Sequence, residues 1–144
     1  MVRWRVELTS TSNMALPTCL VITPARNEAR RLPQGLAALC EKAATLPLRT
    51  AILVVDSAST DETGRLVREW PAGPVPVGLL RCERAGKGAA VREGLLATQA
   101  PFVGFCDADM ATDLSAFDAA VSAVRRHRAP ASPGRYAGMV SCWS

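Results

Sequence analysis

The sequence predicts an α/β fold in which a mostly parallel sheet is flanked by helices. Short apolar runs alternate along the chain with segments whose apolar residues recur at helical spacing. The clearest run, 51–55, is apolar at every position, which is typical of a strand covered on both faces. Because each such strand is followed by a helical segment, the strands are expected to be parallel and joined by right-handed crossovers.

The first two strand–helix units are the most regular. Strands are predicted at 18–22 and 51–55. The helix after the first strand has Pro33 in its first turn and an apolar face of Leu32, Leu36, Leu39 and Ala43. Residues 59–62, Ser-Thr-Asp-Glu, match a capping box, and the helix that follows has an apolar stripe of Thr63, Leu66, Val67 and Trp70.

Residues 77–81 and 102–106 predict two more strands. A glycine-rich loop at 85–88 leads into a helix whose predicted face is Val91, Leu95 and Thr98. A last helix is predicted to start at a Ser115 cap, with Asp118 three residues later, and to bury Phe117, Val121 and Val124. The domain is therefore expected over 18–124, after a flexible extension at 1–17 and before an irregular basic tail at 125–144.

The formal net charge of +4 lies in one segment of the chain. Basic and acidic residues balance as far as Asp118, and the excess is Arg125, Arg126, Arg128 and Arg135. A basic segment at one end does not make a positive face on a fold, so no nucleic-acid partner is expected. The sequence also lacks a run of about 18 apolar residues that would span a membrane.

The cysteines favour a cytoplasmic chain. There are five, none in Cys-x-x-Cys spacing, and there is one histidine, which argues against a zinc site. Without a secretory signal at the N-terminus, reduced thiols in the cytoplasm are expected, with at most a peripheral position at a membrane. Cys19 and Cys106 lie in apolar runs and are predicted to be core residues, and either Met1 or Met14 can be the start.

Acidic residues follow three of the predicted strands. Glu28 comes after the first strand, Asp56 ends the second, and Asp107 and Asp109 follow the fourth. The carboxyl ends of parallel strands share one edge of the sheet, which is where ligands bind in such folds. Asp56 taken alone is equally well explained as a helix cap, but the four residues together favour a binding site.

Two short motifs at this edge contain side chains suited to binding a metal ion or a nucleotide. The two carboxylates of Asp107-Ala-Asp109 offer hard oxygen ligands for Mg²⁺ or Mn²⁺, although an isolated Asp-x-Asp is often a pair of solvated acids. Gly86-Lys87-Gly88 is no phosphate loop, because Arg81 stands at the first glycine position of that motif and Gly88 where Ser or Thr is required. Lys87 is then either a positive charge beside a nucleotide or an ordinary surface lysine.

Four segments together resemble the motifs of the family-2 glycosyltransferases, which share the Rossmann-like GT-A fold. They are 21–28 (VITPARNE), 54–63 (VVDSASTDET), 84–94 (RAGKGAAVREG) and 105–109 (FCDAD), in the order and spacing of that family. The last two are most similar to those of dolichyl- or polyprenyl-phosphate glucosyltransferases. The resemblance implies transfer of a sugar from a metal-bound nucleotide-diphosphate sugar, with a UDP-sugar such as UDP-glucose favoured, to an acceptor that is a lipid phosphate or a sugar.

The resemblance also implies roles for residues at the nucleotide. Pro24, Ala25 and Glu28 would line the nucleotide pocket, with Glu28 near the ribose and base. Asp56 would accept a hydrogen bond from the uracil N–H, and Lys87 would lie beside the base.

At the sugar, the resemblance implies that Asp107 lies near the ribose and sugar and that Asp109 binds Mg²⁺ or Mn²⁺. Many relatives have a second Asp where this chain has Ser57, which leaves the role of that position open. The family's second half carries the acceptor site and the general base, and nothing after Val124 resembles it. A truncated glycosyltransferase domain is therefore expected, with its catalytic base not identified in this sequence.

Two other functions remain open at this point. One is a nucleotide-binding remnant that turns nothing over. The other is a haloacid-dehalogenase-type phosphatase, which also uses an Asp-x-Asp at a strand end. That chemistry expects its pair after the first strand, with Thr or Val at the position that Ala111 occupies here.

Overall fold

The computed structural model describes residues 7–8, 19–98, 100, 102–107, 118–119, 121–122 and 138–142. The strands in these ranges are β1 (Glu7–Leu8), β2 (Cys19–Ala25), β3 (Thr50–Ser57), β4 (Val77–Cys82), β5 (Phe102–Cys106) and β6 (Gly138–Cys142). The helices are α1 (Leu32–Thr45), α2 (Thr63–Arg68) and α3 (Lys87–Ala97).

The strands form one sheet in the order β1-β4-β3-β2-β5-β6. The pairs β3–β4, β2–β3, β2–β5 and β5–β6 are parallel, and only β1 runs antiparallel to its neighbour β4. The predicted mostly parallel sheet is confirmed. Because β2, β3, β4 and β5 all run in one direction, their carboxyl ends meet at a single edge.

Side-chain alternation along the strands builds a separate core on each face of the sheet. On the face covered by α1 and α2, strand residues such as Val21 and Val54 pack against Leu36 and Val67 of the helices. On the other face, which α3 covers, the strand residues pack against Ala90. These are called the α1/α2 face and the α3 face below.

Helix α1 agrees with the sequence prediction, whereas the predicted face of α3 is displaced. In α1 the four predicted core residues, Leu32, Leu36, Leu39 and Ala43, are buried. In α3 the buried residues are Ala90 and Gly94, while Val91 and Leu95 flank them and Thr98 is the C-cap. A Cβ atom on Gly94 would lie 2.8 Å from Cγ2 of Ile22, so α3 approaches β2 through its small residues. The spacing of large apolar residues in the sequence does not reveal a contact made by such small residues.

The terminal regions hold two strands that the sequence did not predict. Glu7–Leu8, in the expected N-terminal extension, pairs with β4. Gly138–Cys142, in the expected basic tail, pairs with β5. Both strands add to open edges of the sheet, where backbone groups of almost any sequence can complete the ladder. The rest of 1–17 and 125–144 lies outside the described residues.

The last predicted helix is described in part. Asp118–Ala119 and Val121–Ser122 are helical, Val121 is buried, and Asp118 forms an ion pair with Lys42 of α1. Ser115, Phe117 and Val124 lie outside the described residues. In the described part of the chain, no helix is long and apolar enough to cross a bilayer.

The predicted core positions of Cys19 and Cys106 are confirmed. Both are buried in the core of the α1/α2 face. Burial raises the pKa of the Cys19 thiol to about 11, against a weaker opposing effect of a hydrogen bond with Thr50. Since the thiolate is the reactive form, Cys19 is a small apolar core residue rather than a nucleophile.

Candidate functional site

A pocket of about 290 Å³ lies at the carboxyl edge of the sheet, on the α3 face. Its described lining residues are Pro24, Arg26, Glu28, Ser57, Gly86, Lys87 and Asp107. They come from the ends of β2, β3 and β5 and from the first turn of α3. This is the edge at which the sequence predicted a binding site.

Strand register explains which side chains reach the pocket. Pro24 pairs with Val55, and both point to the α3 face, while the next pair, Ala25 and Asp56, points to the α1/α2 face. Ser57 is one residue beyond Asp56 and therefore returns to the α3 face. Since successive side chains of a strand alternate between faces, one residue decides whether a side chain can line the pocket.

Lys87 and Asp107 form an ion pair at the pocket. Lys87 Nζ lies 2.7 Å from Oδ1 of Asp107, and the side chains are 51% and 21% exposed. Lys87 is the first residue of α3, and Gly86 before it has φ +114°, a conformation that glycine adopts without strain. The free N–H groups and dipole of a helix N-terminus attract anions, so this corner combines a lysine with a second source of positive potential.

Ser57 ties the glycine-rich loop to the end of β3. Its buried hydroxyl donates a hydrogen bond to the carbonyl oxygen of Arg84 at 2.6 Å, with the Gly86 carbonyl oxygen at 3.4 Å. An ionised Asp, which the resemblance leads one to expect at this position, has no proton to donate and could not make these contacts. In this chain the serine therefore has a loop-closing role that the sequence analysis missed.

Glu28 is held at the pocket by a neighbouring arginine. Arg31 Nε donates to Oε2 of Glu28 and Arg31 Nη2 donates to Oε1, both at 2.9 Å, which is a bidentate pair. Arg26 also lines the pocket and was not predicted. The sequence signal that could have identified Arg26 was its position inside the first motif, two residues from Glu28.

Asp56 lies on the opposite face and does not line this pocket. Its side chain is 2% exposed, its Oδ1 accepts a hydrogen bond from the Ser59 N–H at 3.2 Å, and its Oδ2 lies 3.9 Å from Arg81 Nε. Ala25, its register partner, is also buried in that core. Four predicted site residues thus come together at the pocket, Pro24, Glu28, Lys87 and Asp107; Ala25 and Asp56 do not, and Asp109 lies outside the described residues.

The predicted capping box at 59–62 is wrong, because its side chains bond elsewhere. The N-cap of α2 is Glu62 and makes no side-chain cap hydrogen bond. Ser59 Oγ accepts instead from the Asn27 N–H at 2.9 Å, and Asp61 Oδ2 accepts from the Ala29 N–H at 3.2 Å. Slight desolvation raises the pKa of the exposed Asp61, but hydrogen bonds from Thr63 and Ala29 outweigh this and hold the pKa below its ordinary value. The loop after β3 is thus bonded to the loop after β2.

The donor set fits a divalent metal that takes most of its ligands from a substrate. Among the described residues, no three His, Cys, Asp or Glu side chains are grouped closely enough to hold a metal ion by themselves. Mg²⁺ usually binds one or two carboxylates and completes its shell with waters and substrate phosphates. Asp107, with its partly exposed carboxylate at the pocket, suits that mode.

Comparison with protein families assigns most of the chain to a known family. The family model described as glycosyl transferase family 2 matches residues 20–139. That range contains every described residue of the pocket.

Two curated relatives are similar over most of this chain. A dolichyl-phosphate beta-glucosyltransferase of Dictyostelium discoideum is 34% identical over 107 residues, which cover 68% of this chain and 32% of the relative. A protein of the same name from Drosophila melanogaster is 38% identical over 106 residues, with the same two shares. The chain spans about a third of the length of these relatives.

A solved structure shares the fold. The mannosyltransferase PcManGT from Pyrobaculum calidifontis, in complex with GDP-Man and Mn²⁺, is 29% identical, with a TM-score of 0.64. The match covers 81% of this chain and 34% of PcManGT. The predicted GT-A, Rossmann-like architecture is confirmed by this likeness, over part of the other protein's length.

Proposed function

The chain belongs to glycosyl transferase family 2, and on that basis we propose that its pocket binds a metal-bound nucleotide-diphosphate sugar, with a UDP-sugar such as UDP-glucose as the donor. The observation that carries the proposal is that Pro24, Glu28, Lys87 and Asp107, from three separate segments of the chain, line one pocket. Scattered surface charges have no reason to meet at the carboxyl edge of the sheet.

The charges of the pocket suit a diphosphate next to hydroxyl-bearing rings. Lys87, Arg26 and the N-terminus of α3 supply positive potential for phosphate oxygens. The Asp107 carboxylate accepts hydrogen bonds from hydroxyls of the ribose or the sugar. At about 290 Å³ the pocket is at the lower end of the usual range for small-molecule sites, roughly 300–1,000 Å³, so it holds part of the donor.

Two further residues complete the nucleotide side of the proposal. Glu28, which Arg31 fixes in place, is assigned to the ribose and base on the family resemblance. Asp56 enters as the acceptor for the uracil N–H on the family resemblance alone, because the structure places it on the α1/α2 face. Its substitution is expected to have two separable effects, one on stability and one on base recognition.

The proposed cofactor is Mg²⁺ or Mn²⁺, held by Asp109 with Asp107 beside it. When bound, the ion neutralises negative charge that builds on the departing diphosphate. The related PcManGT was solved with Mn²⁺ and GDP-Man, which supports a divalent ion in this family's sites. The chain's own residues contribute by binding and orienting the donor beside that charge.

The proposed reaction is attack of an acceptor oxygen on the anomeric carbon, with cleavage of the bond to the nucleoside diphosphate. The names of the two curated relatives support a polyprenyl phosphate as acceptor, with a sugar as the other candidate. No described residue is assigned as the general base. The family match gives the phosphatase alternative no support, and a non-catalytic nucleotide-binding remnant is the remaining rival.

Isothermal titration calorimetry with the 144-residue chain tests the ligand class. In the presence of Mn²⁺, UDP-glucose is expected to bind at micromolar to millimolar concentration, more tightly than GDP-mannose and than glucose 1-phosphate. Circular dichroism on the same sample establishes that the chain is folded. A folded chain that binds none of these sugars would overturn the proposal, and tighter binding of GDP-mannose would overturn the choice of uridine.

A further inference from the structure

Asn27 stands between two residues of the pocket but faces a different loop. Arg26 and Glu28, on either side of it, line the pocket. Asn27 has φ +52°, in the left-handed region that asparagine tolerates better than other residues except glycine. The backbone therefore turns sharply at the point where the pocket residues must be presented.

The side chain and backbone of Asn27 make reciprocal bonds with the loop between β3 and α2. Oδ1 of Asn27 accepts a hydrogen bond from the Thr60 N–H at 2.9 Å and from the Thr60 hydroxyl at 3.3 Å. In return, the Asn27 N–H donates to Ser59 Oγ at 2.9 Å. These residues are more than 30 positions apart in the chain.

The next two residues extend the same connection. The Glu28 N–H donates to Thr63 Oγ1 at 3.0 Å, and the Ala29 N–H donates to Asp61 Oδ2 at 3.2 Å. Three successive N–H groups of the β2–α1 loop are therefore satisfied by side chains of the β3–α2 loop and of Thr63, the first residue of α2. Asn27 is the member of this set that bonds in both directions.

We propose that Asn27 is a positioning residue, which locks the β2–α1 loop to the β3–α2 loop and so holds Arg26 and Glu28 at the pocket. It acts through these two residues and does not contact the ligand. The inference rests on the proposed function, because it assumes that the pocket binds a nucleotide sugar.

Asparagine meets both structural requirements of position 27, which are a positive φ and a side-chain acceptor. Asparagine tolerates the positive φ and provides an uncharged acceptor oxygen. Asn27→Asp keeps the φ tolerance and the acceptor, Asn27→Gly keeps only the φ tolerance, and Asn27→Ala keeps neither. The three variants therefore separate the role of the hydrogen bond from that of backbone conformation.

The experiment measures UDP-glucose affinity by calorimetry with Mn²⁺ and the midpoint of thermal unfolding for each variant. Because Asn27→Gly loses two exposed hydrogen bonds that fix the loop, it is expected to weaken binding roughly 3- to 10-fold. Asn27→Asp should stay within about threefold of the parent chain on the same scale. Thr45→Val is the matched control, since it removes an exposed hydrogen bond at the far end of α1, from Thr45 Oγ1 to the Lys42 carbonyl, and should leave affinity unchanged.

The outcomes separate this inference from the proposed function. If the folded parent chain binds no nucleotide sugar, the proposed function fails. If the parent binds and Asn27→Gly lowers only the unfolding midpoint, with affinity unchanged, Asn27 is merely structural and the inference is wrong. Equal losses for Asn27→Asp and Asn27→Gly would also contradict it, because the retained acceptor would then have no effect.

Discussion

Lys87 Nζ and Asp107 Oδ1 lie 2.7 Å apart, so the lysine at the start of α3 neutralises the carboxylate at the end of β5. The pair connects two segments that the chain separates by a helix and a strand. It also sets the charge that an incoming ligand meets, because an anion must compete with Asp107 for Lys87.

Replacing Lys87 tests this relationship. Hydrogen bonds to charged groups contribute about 1.5–3 kcal/mol, so Lys87→Ala is expected to weaken UDP binding roughly 10- to 150-fold. Lys42→Ala is the control, because Lys42 also forms an ion pair with an aspartate, Asp118, but does not line the pocket. Titrations of both variants with UDP measure the difference, and similar affinities for the two would show that Lys87 does not bind the nucleotide.

Asp56→Ala is expected to have two effects with different causes. The Ser59 N–H loses its buried acceptor and Arg81 loses its charge partner, which should lower the free energy of unfolding by about 1–3 kcal/mol. If Asp56 also reads uracil, UDP should weaken roughly 10- to 150-fold while ADP changes little. Urea unfolding and parallel titrations separate the two. Equal losses for UDP and ADP would mean that Asp56 supports the sheet edge and does not read the base.

Two glycines of α3 are expected to respond oppositely to alanine. A Cβ at Gly94 would meet Ile22 at 2.8 Å, so Gly94→Ala should lower the free energy of unfolding by about 1–3 kcal/mol. A Cβ at Gly88 meets nothing within 4 Å, so Gly88→Ala should raise it by up to about 1 kcal/mol through helix propensity. Urea unfolding of both variants checks the sign. A Gly94→Ala chain at least as stable as Gly88→Ala would contradict the close packing of α3 on β2.

Asp61 is expected to make stability depend on acid pH. Its pKa is lowered in the folded chain, so its contribution is fully present above the unfolded value, about 3.9, and is lost as the pH falls through the lower folded value. Asp61→Asn should therefore flatten part of the fall in unfolding free energy between about pH 5 and 2. Glu62→Gln, at an adjacent exposed acid, is the control. Identical slopes for Asp61→Asn and the parent chain would exclude this role.

Four of the strands and their parallel arrangement were predictable because hydrophobic burial imposes a pattern on each segment. Runs such as 51–55 must be apolar when helices cover both faces of the sheet, and the helical spacing of Leu32, Leu36 and Leu39 follows from a single buried face. The short strand Gly138–Cys142 has no such pattern, because its ladder is built from backbone groups.

The sequence predicted which edge of the sheet holds the site, but not which strand-end side chains face the pocket. Which of two adjacent residues, Asp56 or Ser57, faces the pocket depends on where the strand alternation falls, and a shift of one residue exchanges them. The hydrogen bonds of Asn27 with Ser59 and Thr60 join positions more than 30 residues apart, and no local pattern encodes them. The sequence therefore identified charged groups but not the contacts that orient them.

The central claim is that a divalent ion and a nucleotide-diphosphate sugar bind together at the carboxyl edge of the sheet. Calorimetric titration of UDP-glucose in Mn²⁺ and in EDTA, with the parent chain and with Asp109→Asn, tests it most directly. We expect binding to be at least roughly tenfold tighter in Mn²⁺ for the parent chain, and the difference to disappear in Asp109→Asn. Equal affinity of the folded parent chain in Mn²⁺ and in EDTA would contradict the account.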